Sequence, residues 1–375
     1  MKKVKRRDFL SQSSAALIAS TPLLGTGCAT KNKEKKETAP YINFNENYQW
    51  KMVTTWAPNF PILGEGCNLF AQWIKEMSGG RMEVMVYGGG ELVPALEVFD
   101  AVSSGAIELG HGAGYYWAGK IPAAQFFSTV PFGMNAQQMN AWLISGDGMK
   151  LWGDTYAPFN LLPFPAGHTG MQMGGWFNKE INSIRDIQGL KMRIPGLGGK
   201  VFTQAGGTAV LSAGGEIYTN LERGVIDATE WIGPYHDYIM GFHEVARYYY
   251  YPGWHEPGTT LELMVNKPKY EALPTDLQAI IQVAAYRLNG WIFAQAETMN
   301  SIYMKKIQEE GNVELRKFPD DVLDIFRQYS QEVVNGIIAH DPLSKKAYDS
   351  YKAFQERLVD FSQYTEKIYY GSISL

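Results

Sequence analysis

Cysteine is nearly absent from this chain: Cys28 and Cys67 are the only two in 375 residues. Cys28 falls at the end of the N-terminal leader, which leaves Cys67 without a partner and excludes an internal disulfide. Cys67 opens a predicted amphipathic helix and reads as a small core residue, not a catalytic thiol. Histidine is scarce too. His111, His168, His236, His243, His255 and His340 show no H-x-x-x-H ligand spacing and read as bystanders, although His255 adjoins Glu256. There is no basic excess, with 34 Lys and Arg against 38 Asp and Glu. Removing residues 1–27 deletes five basic residues and one acidic one, taking the net charge from −4 to about −8, so no nucleic-acid partner is expected. No apolar run has the length of a membrane span; Ala15–Leu24 is too short. Gly88-Gly89-Gly90 lacks the G-x-G-x-x-G spacing and no lysine follows, so it reads as a turn and not as a phosphate cradle.

What is present begins at the N-terminus. Lys2, Lys3, Lys5, Arg6 and Arg7 precede Phe9-Leu10, which fits the twin-arginine pattern. Residues 1–27 are expected to be an export signal of that type, directing the protein to the periplasm. Cys28 follows Leu24-Gly25-Thr26-Gly27, which resembles a lipoprotein box except at Gly25, where an aliphatic residue is usual. Lipid anchoring at Cys28 and plain cleavage nearby both stay open. Residues 28–47, with the charged run Lys31–Glu37, read as a flexible tether. The roughly 330 residues that remain suit two lobes. Their 10 Trp, 22 Tyr and 18 Phe can supply a large core and an aromatic-lined cleft.

Periodicity predicts an α/β chain. Strands at Gln49–Thr55, Met82–Tyr87 and Ala106–Gly110 alternate with helices at Gly64–Met77 and Val93–Ser103, an order that implies a parallel sheet. A second set has strands at Gly170–Asn178, Leu190–Ile194 and Asp227–Ile232. One helix of this set starts at Gly199–Ala205 and another ends at Leu221–Gly224. Thr259–Asn266 is a late strand expected to return to the first sheet. Tyr248–Tyr251 is expected to pack between lobes. From Thr275 to about Glu310 a helical pattern would reach roughly 54 Å, longer than one lobe, so it should cross both. A break at Gly290 is the alternative. Helices at Asp320–Ile338 and Asp341–Gln363, the latter with Pro342 at its first position, close the chain.

The most informative stretch is Gly189–Trp231. G-L-K-M-R-I-P-G sets Arg193 in a short apolar strand that ends at Pro195-Gly196. L-E-R-G-V-I-D-A-T-E-W runs a helix end, a Gly224 stop and a strand carrying Asp227, Glu230 and Trp231. An arginine and a glutamate aimed at one strand-end crevice suit an anionic ligand with a cation beside it. The guanidinium of Arg193 stays charged and offers a planar fork to a carboxylate. Asp227 reads as a turn brace.

With K-M-V-T-T-W and E-V-F-D-A-V-S-S-G-A-I-E-L-G, these motifs resemble the periplasmic substrate-binding subunits of TRAP transporters over about residues 48–340. Within that family they resemble the branch that binds 2-oxo or 2-hydroxy monocarboxylates (pyruvate, 2-oxobutyrate, lactate) with a metal ion. The resemblance implies a two-lobed, type II-like periplasmic binding fold with a long lobe-spanning helix. Residues 48–169 and 257–290 would form lobe I, and residues 170–256 and 291–340 lobe II. Residues 341–375 would be a C-terminal helical extension able to make a homodimer. Arg193 would pair with the ligand carboxylate. Gln172, Glu230, the backbone carbonyl of Trp231 and Glu256 would hold the metal ion. Gln172, Trp231, Tyr115 and Tyr116 would face the ligand, ordinary core being the alternative for the two tyrosines. TRAP membrane subunits would be the partners.

Gln172, Glu230 and Glu256 are hard oxygen donors, and with no His or Cys expected nearby a soft transition metal is disfavoured. Na⁺ and Ca²⁺ remain. Ca²⁺ with Arg193 would offset two protein carboxylates and a ligand carboxylate, whereas Na⁺ would leave one charge uncancelled. No organic cofactor is expected. Two other readings stand beside the receptor. One is an exported enzyme acting on small organic acids with Glu230 as base, against which stands the lack of a nucleophile–base pair or cofactor motif. The other is the ligand-binding subunit of a sensor system, which shares the same binding chemistry.

Overall fold

The computed structural model describes residues 46–372. The expected signal at 1–27, Cys28 and most of the 28–47 tether lie outside the described residues. Strands among the described residues are, in chain order, β1 (Tyr48–Thr54), β2 (Met82–Tyr87), β3 (Leu109–Gly112), β4 (Leu161–His168), β5 (Gly175–Phe177), β6 (Lys191–Arg193), β7 (Thr208–Val210), β8 (Ala228–Thr229), β9 (Tyr248–Tyr251), β10 (Thr260–Asn266) and β11 (Glu314–Lys317). They form two sheets, ordered β2-β1-β3-β10-β4 and β11-β9-β5-β8-β6-β7. In the first, β1 lies parallel to β2 and β3, joined through the helices Leu63–Met77 and Val98–Ser103. Connections of that length are what parallel neighbours require. β10 runs antiparallel between β3 and β4, so the late apolar strand does return to the first sheet. In the second sheet β6 is parallel to β7 and β8, while β5 is antiparallel to β8 and β9. β3 and β10 are buried along their whole length, as expected of strands covered on both faces.

Several elements differ from the periodicity. Gly170–Asn178 pairs only at Gly175–Phe177. Gly170 has a φ of 71°, outside strand geometry, so the first part of the segment is a loop, and that loop carries Gln172. Asp227–Ile232 pairs only at Ala228–Thr229, which leaves Glu230 and Trp231 just past a strand end. Ala106–Gly110 shifts to Leu109–Gly112. The four tyrosines at Tyr248–Tyr251 are strand β9 of the second sheet, with Tyr249 stacked on Trp176 at 3.9 Å and Tyr250 on Phe318 at 4.6 Å. β4, β11 and the helices Ala136–Ser145 and Gly148–Tyr156 have no counterpart in the sequence pattern. β4 reads L-L-P-F-P-A-G-H; its prolines mask a strand, and they are accommodated because β4 is the edge of its sheet.

Thr275–Glu310 is one helix of 36 residues, unbroken at Gly290 and ended by Gly311 with φ 66°. It packs on β4 and the helix Leu63–Met77 on one side and on the helix Pro234–Ile239 on the other, so it braces both sheets. Its buried stripe of Leu277, Ile281, Ala284, Leu288 and Ile292 seals the core along that path. Asp320–His340 lies on the helix Gly196–Gln204. Pro342–Ser362 then turns back onto Gly148–Tyr156, burying Tyr348 and Tyr351. The Tyr351 hydroxyl accepts the Met134 N–H at 2.6 Å. Beyond that point the apolar side chains emerge, and Phe361, Tyr364, Ile368, Tyr369 and Tyr370 are exposed. Cys67 is buried in the first helix, and burial pushes its thiol up, away from the reactive thiolate. No helix among the described residues is long and apolar enough to cross a membrane.

Candidate functional site

β6 and β8 are parallel neighbours, so their carboxyl ends open on the same side of the sheet. β6 ends at Arg193, and Glu230 and Trp231 follow β8; the Glu230 N–H donates to the Arg193 carbonyl at 3.1 Å. The Gln172 loop and the loop from Pro252 to Glu256 lie against each other beside these ends. Gly253 permits that approach, because a Cβ there would stand 2.3 Å from the Gln172 carbonyl oxygen. The segment after β3 brings in Tyr115 and Tyr116, whose rings meet edge to face at 4.8 Å. Gly196, with φ 59°, lets the next helix start directly against Tyr115.

Arg193 is fully buried, and every arm of its fork is engaged. Nη1 donates to Glu230 Oε1, Nε reaches the Ser212 carbonyl at 3.4 Å, and Nη2 donates to the Tyr116 hydroxyl at 3.3 Å. The Trp231 ring centre lies 5.0 Å from the guanidinium carbon. Burial is the largest single influence on Arg193 and would lower its pKa, but the Glu230 charge acts together with Tyr116 and Tyr115 against it, and the net shift is upward. Burial pushes the Tyr115 and Tyr116 phenols above their usual range, so both stay neutral. Gln172 Nε2 lies 2.9 Å from Glu256 Oε2, 3.0 Å from Thr259 Oγ1 and 3.1 Å from Thr169 Oγ1. Thr259 also donates to Glu256. Burial, reinforced by the Glu230 charge, pushes the Glu256 carboxyl up to about 7.

The cluster holds a concentration of unmet polar atoms. Gln172 Oε1, Glu230 Oε2, Trp231 Nε1, Ser212 Oγ and both ring nitrogens of His255 are buried without a hydrogen-bond partner. Such atoms are rare in a folded interior and costly to leave bare. An amide oxygen and two carboxylates, facing a single arginine, form a donor set that fits a hard cation such as Na⁺ or Ca²⁺. The seven residues Arg193, Gln172, Glu230, Trp231, Glu256, Tyr115 and Tyr116 thus lie around one buried locus.

One expectation is overturned. His255 is not remote from the carboxylates: it is fully buried with Nε2 3.4 Å from Glu230 Oε2. Glu230, His255 and Glu256 offer ligand atoms within 4.8 Å of one another. Strand-end topology brings His255 to Glu230 across the chain, which no local spacing reveals. Thr259 and Ser212 also went unread, since neither belongs to a motif. The histidines His111 and His236 are structural, bonded to the Ala166 and Pro61 carbonyls at 3.0 Å each. Asp227 accepts the Lys191 N–H at 2.9 Å, which ties the start of β8 to the start of β6 and leaves the expected bracing of its own turn without a bond that shows it.

The sequence profile of the bacterial extracellular solute-binding proteins, family 7, matches residues 52–341, which includes every residue of this locus. The chain belongs to that family. A monocarboxylate 2-oxoacid-binding periplasmic protein of Nostoc sp. is 39% identical over 368 residues, covering 98% of each chain. A TRAP periplasmic solute-binding protein of Pseudoalteromonas atlantica, solved with bound sodium and pyruvate, is 42% identical with a TM-score of 0.86. A counterpart from Colwellia psychrerythraea, solved with bound calcium and pyruvate, is 41% identical with a TM-score of 0.85. Each match spans 88% of this chain and 100% of the other. This family 7 protein is a TRAP solute receptor, and its two-sheet architecture is theirs.

Proposed function

We propose that this receptor binds a small 2-oxo or 2-hydroxy monocarboxylate (pyruvate, 2-oxobutyrate or lactate) together with Na⁺ or Ca²⁺ and delivers it to TRAP membrane subunits without chemical change. The observation that carries the reading is a buried cluster in which Arg193 pairs with Glu230, Glu230 lies near Glu256, Glu256 accepts a bond from Gln172, and Gln172 Oε1 and Glu230 Oε2 are left without a hydrogen-bond partner. Arg193 takes the ligand carboxylate. Gln172, Glu230, the Trp231 carbonyl and Glu256 hold the ion. When bound, the ion supplies a positive charge able to chelate the carboxylate and its neighbouring 2-oxygen, which favours α-substituted acids over plain fatty acids. Trp231, Tyr115 and Tyr116 wall off the short carbon chain.

Two lobes divide the chain in this reading, 48–169 with 257–290 and 170–256 with 291–340, and the site lies in the cleft between them. Residues 1–27 are the twin-arginine signal for export to the periplasm, and Cys28 is the residue at which a lipid anchor would attach. The exposed aromatic face at Phe361, Tyr364, Tyr369 and Tyr370 packs against a second copy to make a homodimer, since aromatic surface of this extent is seldom left in water.

Calorimetry of the chelator-stripped chain with pyruvate, 2-oxobutyrate and lactate, repeated with Na⁺ and with Ca²⁺, tests the proposal. Binding of any of the three that depends on one ion supports it and names the ion. Absence of heat with every pair removes the monocarboxylate assignment.

A further inference from the structure

We propose that the Glu230–His255–Glu256 cluster also accepts a divalent transition ion of the zinc and manganese class, with His255 as its nitrogen ligand. The inference rests on the cation site of the proposed function and names a further class of ion for it.

Three observations carry it. His255 is 1% exposed, and neither ring nitrogen has a hydrogen-bond partner. A buried imidazole ordinarily satisfies at least one of them. Its Nε2 stands 3.4 Å from Glu230 Oε2, itself an unpartnered buried oxygen. One nitrogen from His255 and one oxygen from each carboxylate lie within 4.8 Å of one another, close enough for a single ion to reach all three.

The surroundings hold the imidazole in that place. Behind it Gly198 leaves no slack, since a Cβ there would come 2.9 Å from the His255 Cβ. Trp254 meets the imidazole edge to face at 5.5 Å and is itself stacked on Phe326 at 4.2 Å. Arg193 engages Glu230 at Oε1, which leaves Oε2 facing the histidine. Two buried carboxylates therefore face one arginine, and a positive ion on the His255 side of Glu230 restores the balance.

The donor set decides which ion. Na⁺ and Ca²⁺ take oxygen donors and gain little from imidazole. Imidazole suits Zn²⁺ and its first-row neighbours, and two carboxylates with one imidazole match the three protein ligands of an open zinc site. His255 is thus the residue that separates the two ion classes. The oxygen of Gln172 serves the hard ions, and the nitrogen of His255 serves the borderline ones.

The test titrates the chelator-stripped full chain with Zn²⁺, Mn²⁺ and Ca²⁺ alone, then with pyruvate added to each. Pulsed electron paramagnetic resonance of the Mn²⁺-loaded, unmutated chain reads nitrogen coupling from a directly bound imidazole and needs no variant. The expected result is that coupling, Zn²⁺ affinity above Ca²⁺ affinity, and a Zn²⁺-to-Ca²⁺ ratio that His255→Gln narrows by on the order of tenfold or more. Bound Mn²⁺ without nitrogen coupling, or an unchanged ratio in His255→Gln, would overturn the proposal. Pyruvate binding with Na⁺ or Ca²⁺ would survive that outcome and with it the proposed function. Loss of pyruvate binding with every ion is the separate result that sinks the proposed function itself.

Discussion

At the scale of single residues, Arg193 is a buried structural ion as well as the group proposed to take the ligand carboxylate. Its charge lies in the interior against Glu230, so removing it strands a buried carboxylate. Arg193→Ala should weaken pyruvate binding by about 2–4 kcal/mol and lower stability by about 3–5 kcal/mol. Calorimetry and thermal melts read the two effects separately, and an unchanged affinity would take Arg193 out of the site. Glu262, on β10, offers a pH dependence independent of the site. It accepts hydrogen bonds from Trp117 Nε1 and from the Tyr156 hydroxyl at 2.8 Å, and burial pushes its carboxyl from 4.5 up to about 7. The folded state therefore holds the proton more tightly than the unfolded chain. Stability present below about pH 4.5 is lost as pH rises through about 7. Glu262→Gln, which keeps an acceptor for both donors, should flatten that decline and exceed the parent by roughly 2–3 kcal/mol at pH 8. Melting curves at pH 5 and pH 8 decide it; parallel losses in both proteins would mean that Glu262 is not the group responsible. The nearness of Arg193 and Glu230 was readable because each follows an apolar run to a strand end. His255 was not readable, because its partner Glu230 is distant in sequence and no ligand spacing joins them.

At the scale of elements, what was legible is what depends on local pattern. The 36-residue helix, the helix Leu63–Met77 and strands β2 and β10 lie where periodicity puts them, within a residue. What was illegible depends on tertiary pairing. β11 is known only by its pairing with β9, and β8 is two residues long, the Glu230 N–H making its last bond to β6. The loops that carry Gln172 and Glu256 are set by contact and not by propensity. Gly253 is the point where they touch, and the atoms a Cβ would meet there are backbone, which cannot swing aside. Gly253→Ala should force the loops apart, cost about 1–3 kcal/mol of stability and abolish ion-supported binding. A variant that melts and binds like the parent would show that the loops tolerate separation.

At the scale of the whole molecule, the two sheets are tied by side chains as well as by the long helix. Phe60, beyond β1, stacks on His236 at 5.3 Å, and His236 Nε2 lies 3.0 Å from the Pro61 carbonyl oxygen. Tyr116 reaches Arg193 across the same divide. The far end of the chain presents the opposite situation. Tyr364 is 80% exposed and Phe361 and Ile368 63% each, with nothing among the described residues to cover them. Replacing Phe361 and Ile368 together by lysine should convert a dimer in sedimentation equilibrium to a monomer while leaving pyruvate affinity as it was. A parent chain already monomeric at high concentration would dismiss the dimer.

Trp231 occupies a place with an optical consequence. Its indole meets Trp56 at 6.4 Å and Phe60 at 6.2 Å, both from beyond β1, while the Arg193 guanidinium lies beside it from its own sheet. Parting the sheets would remove the aromatic neighbours, admit water to the ring and leave the cation in place. The ultraviolet emission of the chain should therefore change, through Trp231 and its neighbour Trp56, if the sheets part. A stopped-flow trace on the unlabelled chain would time capture and release, and Trp231→Phe should remove the share of the change that this indole supplies.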